Sequence, residues 1–387
     1  MSPRALVTGA KGHTGSFLVK LLADNGYEVV ATDLPPKERS VLMTKETVFR
    51  TDLHYLDIEQ IEGVSFIPAD LTDKESLRPL FQGGNYDVIF HPASLYDYFA
   101  LIDILRKINV GGLRNLLEVI NEECGTFPRF LHWSTCGVYG EPEYERDPKT
   151  KIILPAHEDA PYDPPNSYSI SKREQEELLK DLAAQWNIPY TIIRPGPIYG
   201  PYQTYGMFHI FYLVNLVGHM VAPHVYPRHK KLMMPMVHVE SLVEAALFLS
   251  QHDEAIGQAY NVIDDALTEE EWMEFLYREL GITWTNIPVW WPFYKIFAKM
   301  LYNIEVRENA KARKWGTRPK FDLSMADYIT HQYYFSNQKI KDLGFKFKYS
   351  PLEGTRMTIR WYKDHGWLES EEYHLQADLS QKTEGNA

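Results

Sequence analysis

Tyr168 and Lys172 are the residues whose types and spacing most directly suggest chemistry in this chain. They lie in the segment Asn-Ser-Tyr-Ser-Ile-Ser-Lys, which continues into an amphipathic stretch, and residues four apart share one face of a helix. A phenol has an ordinary pKa of about 10, and a neighbouring ammonium group favours its ionised form. Such a pair could take a proton from an alcohol or return one to a carbonyl. Taken alone, the same spacing also describes an ordinary pair on a helix surface.

The elements that must position this pair begin with a glycine-rich turn near the N-terminus. A short apolar run, 5–7, leads into Gly9, Gly12 and Gly15, and a helical pattern follows. Glycines at this spacing allow a tight turn, a close approach of the backbone to a pyrophosphate, and close packing of helix on strand. The helix start then presents amide groups to the phosphates. A plain glycine-rich turn is the alternative, which the flanking strand and helix patterns disfavour.

Asp33 is the candidate contact for the adenosine ribose. It ends a second apolar run, 28–32, and follows the glycines by about 20 residues, the usual spacing for an acid that binds ribose hydroxyls. A carboxylate there repels a 2′-phosphate, so NAD is favoured over NADP. Lys37 and Arg39 lie close enough in sequence to soften that preference.

Composition disfavours several functional classes. The 387 residues carry a net charge of −12, which argues against nucleic acid as a partner because phosphate binding needs basic surface. The two cysteines, Cys124 and Cys136, do not suggest a disulfide framework. We expect no secretory leader, because the first strand already includes Ala5, and no run reaches the roughly 18 apolar residues of a membrane-spanning helix. We therefore expect a cytoplasmic enzyme without a metal site.

Strand and helix patterns alternate through the first half of the chain. Strands are predicted at 5–8, 28–32, 64–68, 87–91, 129–134 and 190–193, and helices near 14–25, 73–81, 99–121 and 168–186. This alternation predicts an α/β fold with a Rossmann-like, doubly wound parallel sheet. Residues 1–200, rejoined by 234–265, are expected to form the NAD-binding domain. A smaller, mixed substrate-binding lobe is expected from 201–233 and 266–372, and a mobile tail from 373–387.

Several ordered motifs together resemble the extended short-chain dehydrogenase/reductases, the NAD-dependent epimerase/dehydratase superfamily. They lie at 8–15, 70–73, 91–94, 109–115, 134–140, 194–201 and 236–240, in addition to the Tyr168–Lys172 pair. The resemblance implies that Tyr168 is the acid/base, and that Lys172 lowers its pKa and holds the nicotinamide ribose. It also implies that Thr135 orients the substrate oxygen, with Ser134 as the alternative because strand side chains alternate between faces. The cofactor contacts it implies are Gly9, Gly12, His13, Thr14, Gly15, Asp33, Asp70, Leu71, Pro92, Ala93, Ser94, Asn109, Tyr168, Lys172 and Pro195.

Two departures from the superfamily's patterns narrow the reaction. Its dehydratases place an Asp-Glu pair directly after the catalytic Thr, where this chain has Cys136 and Gly137, so elimination is disfavoured. Its nucleotide-sugar epimerases usually carry an Arg-Asp pair before the strand equivalent to 236–239, and that pair is missing here. Lys230 and Lys231 lie a little upstream, where we expect a solvated loop rather than a phosphate grip.

Two segments, 207–214 and 289–302, are rich in aromatic residues and methionine, and the first falls where substrate loops diverge in this superfamily. Their composition suits a large apolar ligand, with lobe core or a dimer face as alternatives. The second segment could also lie at a bilayer surface, with Lys295 and Lys299 extending towards water. The closing stretches 331–337, 341–345 and 350–354 resemble the 3β-hydroxysteroid dehydrogenase branch.

These patterns lead to one principal expectation and two alternatives. We expect an NAD-dependent oxidoreductase that acts on the secondary alcohol or ketone of an apolar, sterol-like substrate. A nucleotide-sugar epimerase or reductase with the same catalytic residues is the alternative, and a non-catalytic NAD-binding regulator is a third hypothesis. The expected associations are a homodimer through the helices near 99–121 and 168–186, and weak contact with a membrane surface.

Overall fold

The computed structural model describes residues 2–35, 56–98, 100–203, 206–215, 220–315 and 329–368. Its strands are β1 (Arg4–Thr8), β2 (Glu28–Thr32), β3 (Val64–Phe66), β4 (Val88–His91), β5 (Arg129–Trp133), β6 (Tyr190–Pro195), β7 (Ile198–Tyr199), β8 (Ala222–Pro227), β9 (Val237–His238), β10 (Gln258–Val262) and β11 (Trp284–Val289). Its helices are α1 (His13–Asp24), α2 (Lys74–Leu77), α3 (Ile102–Leu105), α4 (Gly112–Glu123), α5 (Ser167–Trp186), α6 (Phe208–Asn215), α7 (Val239–Ser250), α8 (Glu269–Leu280), α9 (Trp291–Trp315), α10 (Gln338–Asp342) and α11 (Pro351–Asp364).

A seven-stranded sheet in the order β10-β6-β5-β4-β1-β2-β3 forms the centre of the described structure. Every neighbouring pair in it is parallel. The predicted Rossmann-like α/β fold is therefore confirmed. The strand order reverses between β1 and β4, and ligands of such sheets bind outside the carboxyl ends of the strands at that point.

Two hydrophobic cores cover the two faces of this sheet. Ala5 and Val7 of β1 face one core, which also takes in α1 and α7, whereas Leu6 faces the core under α4 and α5. Since successive strand side chains point to opposite faces, a strand buried on both sides must be apolar throughout. This explains why the strands at the centre of the sheet are short continuous apolar runs.

A third core lies beyond the sheet and is largely aromatic. Phe208 and Phe211 of α6 pack there with Trp272 and Tyr362. The segment 207–214 is thus core, which was one of the alternatives left open by its composition. A separate two-stranded parallel sheet pairs β8 with β11, and Ala222 of β8 belongs to this third core.

The predicted helix near 99–121 differs most from the structure. It is divided into α3, a π-helical turn at Arg106–Gly111, and α4.

The proposed division into two domains stays a prediction. Lys37, Arg39 and the tail 373–387 lie outside the described residues. None of the helices in the described ranges combines the length and hydrophobicity that crossing a bilayer requires.

Candidate active site

The glycine-rich turn joins β1 to α1 at the sheet's switch point. Gly9 has φ +62°, a conformation that side chains disfavour, and a Cβ there would lie 2.9 Å from the Ala93 Cα. A Cβ on Gly15 would lie 2.0 Å from the Gly9 carbonyl oxygen, so helix and turn touch at this point. Gly12 provides no side chain to cap α1. The turn therefore leaves a cradle at the helix start that fits a pyrophosphate.

Asp33 lies beside this turn at the end of β2. Its Oδ2 accepts a hydrogen bond from the Lys11 amide at 2.8 Å, and its Oδ1 accepts one from the Leu34 amide at 2.8 Å. Each carboxylate oxygen has a further lone pair for a ribose hydroxyl. The Lys11 ammonium pairs with Glu59. The position thus fits the predicted ribose contact.

The loop after β3 brings Asp70 and Leu71 to the same edge. The Ala69 amide donates to the Asp33 carbonyl at 3.0 Å, so the two loops are directly joined. Asp70 Oδ1 accepts from both the amide and the hydroxyl of Thr72, at 2.8 and 2.9 Å. The Asp70 carboxylate therefore also shapes its own turn.

His13 and Thr14, at the start of α1, are buried. The His13 Nε2 lies 2.8 Å from the Pro201 carbonyl oxygen, and burial lowers the pKa of His13 to about 4. A neutral His13 ring thus links the cofactor turn to the segment after β7.

Asn109 lies behind the loop that follows β4, which holds residues 92–94. Its Oδ1 accepts from the Leu95 amide at 2.7 Å, and its Nδ2 donates to the Leu95 carbonyl at 3.2 Å and to Ser171 Oγ at 3.1 Å. Asn109 therefore clamps the loop to the helix that carries Tyr168 and Lys172. The family resemblance implied a cofactor contact for Asn109 and did not reveal this clamp.

Tyr168 lies in the first turn of α5, which is capped by the Asn166 side chain accepting from the Ser169 amide at 2.9 Å. The Tyr168 side chain is buried beside two tyrosines that sequence analysis did not single out. The rings of Tyr96 and Tyr98 lie 5.1 and 5.5 Å from the Tyr168 ring, centre to centre. These rings form an aromatic wall around the candidate acid/base.

Lys172 lies one turn further along α5 and is buried. Its Nζ donates to Ser94 Oγ at 2.6 Å and to Gln175 Oε1 at 3.0 Å. Burial lowers the pKa of Lys172 to about 7, although the nearby Glu176 carboxylate opposes that shift. The ammonium group is thus directed at the loop after β4, next to the cofactor turn.

Glu176 continues the same helix face, and sequence analysis missed it. It forms a buried ion pair with Arg194, at 2.7 Å to Nη2 and 2.9 Å to Nε. The Arg194 guanidinium also contacts the hydroxyls of Tyr139 and Tyr162. Burial would raise the pKa of Glu176, but the hydrogen bonds and the charge of Arg194, together with Ser134 and Tyr162, lower that pKa. The repeated spacing 168, 172, 176 was the available signal.

Ser134 and Thr135 directly follow β5 and lie in different environments. Thr135 lines a narrow cleft together with Tyr98 and Pro197, and its Oγ1 accepts from the Gly137 amide at 3.1 Å. Ser134 is buried, and its hydroxyl contributes to the lowered pKa of Glu176, although less than Arg194 does. This difference favours Thr135 as the hydroxyl that meets a substrate. Pro195, which precedes the cleft residue Gly196, is buried at the end of β6.

Cys136 and Gly137 offer no acid or base for elimination. Cys136 is buried, its Sγ donates to the Arg194 carbonyl at 3.1 Å, and burial raises the pKa of its thiol. A Cβ on Gly137 would lie 2.6 Å from Ser169 Oγ. A larger side chain at that position would require Ser169 to move.

A second cavity, of about 520 Å³, is linked to the cleft through the chain segment 330–335. It is lined by Lys230, Lys295, Lys299 and Trp291, among others. The Lys230 Nζ lies 4.1 Å from the centre of the Trp291 ring and 3.8 Å from Glu141 Oε1. Residues 330–331 line this cavity, and residues 333 and 335 line the cleft. Lys230 was expected in a solvated loop, but the fold joins it to two lysines about 65 residues further along the chain.

Residues 5–262 match the model of the NAD-dependent epimerase/dehydratase family. The chain belongs to the NAD-dependent epimerase/dehydratase family. Among its relatives, the uncharacterized protein YbjS of Escherichia coli K12 is 24% identical over 376 residues, covering 94% of this chain and 99% of YbjS. The UDP-glucose 4-epimerase of Drosophila melanogaster is 32% identical over 187 residues, 46% of this chain and 48% of that enzyme. A UDP-glucose 4-epimerase of Thermus thermophilus, solved with NAD, has a TM-score of 0.64 at 22% identity, covering 93% of this chain and 99% of that one.

Membership of the NAD-dependent epimerase/dehydratase family confirms the predicted superfamily and NAD as its cofactor. The matches do not single out the 3β-hydroxysteroid dehydrogenase branch. The two UDP-glucose 4-epimerases that are 32% and 30% identical to the chain are matched over about half of their own length, 48% and 49%. The roles of individual site residues stay predictions.

Proposed function

We propose that this protein is a nucleotide-sugar epimerase that uses NAD and the Tyr168 acid/base. The cavity lined by Lys230, Lys295 and Lys299 carries the proposal, because three ammonium groups suit the phosphates of a nucleoside diphosphate. Trp291 adds an aromatic surface on which a base could stack. The named relatives, several of which are UDP-glucose 4-epimerases, support the same substrate class.

The chain's own residues would hold the cofactor and move one proton. The turn at Gly9 and Gly15 would bind the pyrophosphate, and Asp33 the adenosine ribose. Bound NAD would supply the hydride acceptor, from which the same hydride can return to the substrate carbon. Tyr168 would remove the substrate's hydroxyl proton and later give it back, with Thr135 holding the same oxygen in place. Lys172, whose pKa is lowered to about 7 by burial, would favour the ionised phenol when its own amine is protonated.

An apolar secondary alcohol is the second candidate substrate, and the lining of the catalytic cleft favours it. Tyr98, Pro197, Tyr333 and Phe335 surround the Thr135 end of the cleft. Such a wall suits a sterol-like ring system. A neutral sterol has no negative group that could bind the three lysines of the other cavity, and we therefore rank the sugar nucleotide first.

The two candidates differ in their net redox outcome. Purified protein would be incubated with NAD and, separately, with UDP-sugars and 3-hydroxysterols, with NADH followed by absorbance and sugars by chromatography. We expect conversion of a UDP-sugar without net NADH. Net NADH formed only with a sterol would contradict the proposal and support the second candidate. NAD binding without conversion of any substrate would favour a binding-only regulator.

The role of the lysine cavity can be tested separately from catalysis. Lys295→Ala with Lys299→Ala should raise KM for a UDP-sugar at least tenfold while changing kcat little, because charged hydrogen bonds contribute about 1.5–3 kcal/mol each. Lys20→Ala is the matched control, since its ion pair with Asp24 lies on the surface of α1. An unchanged KM in the double variant would remove the cavity from substrate binding.

A further inference from the structure

Helix α9 carries large apolar residues on its outer side as well as on the side that it buries. The large apolar residues Phe293, Ile296 and Met300 are 62%, 65% and 55% exposed. The inward side carries Tyr294 and Ala298 and, further along, Glu305 and Asn309, all of them buried. A surface helix of a soluble protein normally places its apolar stripe inward. The outer side of α9 is therefore apolar where water would be expected.

The exposed residues form one continuous stripe along the helix. Their spacing of three or four residues places them on one face, and the same spacing continues into basic residues. From the start to the end of the helix the outer face consists of Phe293, Ile296, Met300, Ile304, Arg307, Lys311 and Lys314. The first half is thus apolar and the second half is cationic, although Lys311 also pairs with Glu308 at 2.7 Å.

We propose that this outer face of α9 docks on an anionic phospholipid bilayer. The apolar half extends over about 17 Å at the helical rise of 1.5 Å per residue. It would lie flat at the boundary between the lipid headgroups and the acyl chains. The cationic half would meet lipid phosphates along the same line. Trp290, which is exposed at the helix start, is a residue type enriched at the membrane boundary.

Charge complementarity selects this occupant over the others. The chain carries a net charge of −12, so a basic stripe on its surface runs against the overall charge. If a second copy of the chain bound there through the same face, Arg307 and Lys311 would meet its identical stripe of apolar and basic residues. An anionic bilayer instead satisfies both halves of the face at once. The inference is independent of the substrate proposed above.

Flotation of the full-length protein with lipid vesicles tests this directly. The vesicles would contain either phosphatidylcholine alone or equal parts of phosphatidylcholine and phosphatidylglycerol. We expect binding to the anionic vesicles, weakened by high salt. Phe293→Ser with Met300→Ser should reduce partitioning at least tenfold. Arg307→Ala with Lys311→Ala should also reduce it about tenfold, and only on anionic vesicles.

The control is Ile152→Ser with Leu154→Ser, which removes two exposed apolar residues from a loop. This variant should bind vesicles like the unchanged protein, and all variants should keep the same melting temperature and NAD affinity. Equal binding by the Phe293/Met300 variant and the control would overturn the proposal. It would also be overturned if the protein ignored both vesicle types, or if the Phe293/Met300 variant changed only the oligomeric state in lipid-free buffer, which would assign the face to a second copy.

Discussion

The chemistry of the candidate site depends on how Tyr168 and Lys172 are surrounded. Tyr168 is enclosed by the rings of Tyr96 and Tyr98, and the Lys172 ammonium is buried with two hydrogen-bond partners. Burial lowers the pKa of Lys172 to about 7, so its charge responds to its neighbours near neutral pH. Lys172 therefore carries the least positive charge when the site holds no further negative or dipolar group.

Tyr168→Phe tests the acid/base role. The variant keeps the ring packing but loses the phenolic hydroxyl, so turnover should fall by about 10²–10⁴ while NAD binding changes little. Steady-state rates and titration of NAD by fluorescence provide the two measurements. Tyr98→Phe is the matched control, because it removes a neighbouring phenol from the same aromatic wall. Retained turnover in the Tyr168 variant would refute the assigned role.

At the scale of elements, two buried polar groups join segments that are distant in sequence. The Glu176–Arg194 pair fastens α5 to the end of β6. Tyr199 and the amide of His238 both donate to Asp264 Oδ2, at 3.0 and 3.2 Å, which links β7 and β9 to the segment after β10. Gly196, Pro197 and Pro235, which are close to both groups along the chain, line the candidate cleft.

Breaking the first of these groups should be costly. Glu176→Gln leaves the Arg194 guanidinium buried without its carboxylate, so we expect a loss of about 3–5 kcal/mol in the free energy of unfolding. Urea denaturation measures it. The double variant Glu176→Leu with Arg194→Met should recover most of the loss, because no charge then remains buried. A loss below about 1 kcal/mol in the single variant would show that the pair is not stabilising the fold.

The second group predicts a pH dependence of stability. Burial raises the pKa of Asp264 to about 8 from an ordinary value of 3.8. The folded protein then binds more protons than the unfolded chain between these values, so stability should fall as pH rises from about 4 to about 8. Asp264→Asn should remove that part of the decline. Urea unfolding of both proteins at several pH values tests this, and parallel pH profiles would contradict it.

At the scale of the whole molecule, charge and apolar surface are unevenly distributed. The chain is acidic overall, yet three lysines line one cavity and Arg307, Lys311 and Lys314 lie along the outer side of α9. A second exposed apolar site lies at the start of α3, where Leu101 and Ile104 are exposed. This site belongs to the helices near 99–121 that were expected to form a homodimer.

The predicted homodimer can be tested at that site. Leu101→Asp with Ile104→Asp places two charges in the expected interface, so the protein should shift from dimer to monomer, as measured by light scattering after size exclusion. Ile256→Asp, at an exposed residue elsewhere, should leave the mass unchanged. A monomeric unchanged protein, or a dimeric double variant, would contradict the prediction.

Local patterns predicted much of the fold and part of the site. β1, β2 and α5 lie within a few residues of their predicted ends, because periodicity and glycine spacing are local properties. The expected sterol-like substrate was drawn from aromatic composition, and composition does not distinguish core from pocket. Residues 207–214 belong to the core, while the structure placed Lys230 beside Lys295 and so favours the alternative substrate.

The sequence by itself determined the parallel α/β sheet, the cofactor turn and the Tyr168–Lys172 pair, since each depends on residues close together in the chain. Only the tertiary structure decided which hydroxyl faces the cleft, which carboxylate lies behind Lys172, and which lysines share a cavity. These depend on contacts between distant segments, such as Glu176 with Arg194. The side of α9 that faces water was also decided there, because a helical pattern defines two faces but not the neighbour that each one meets.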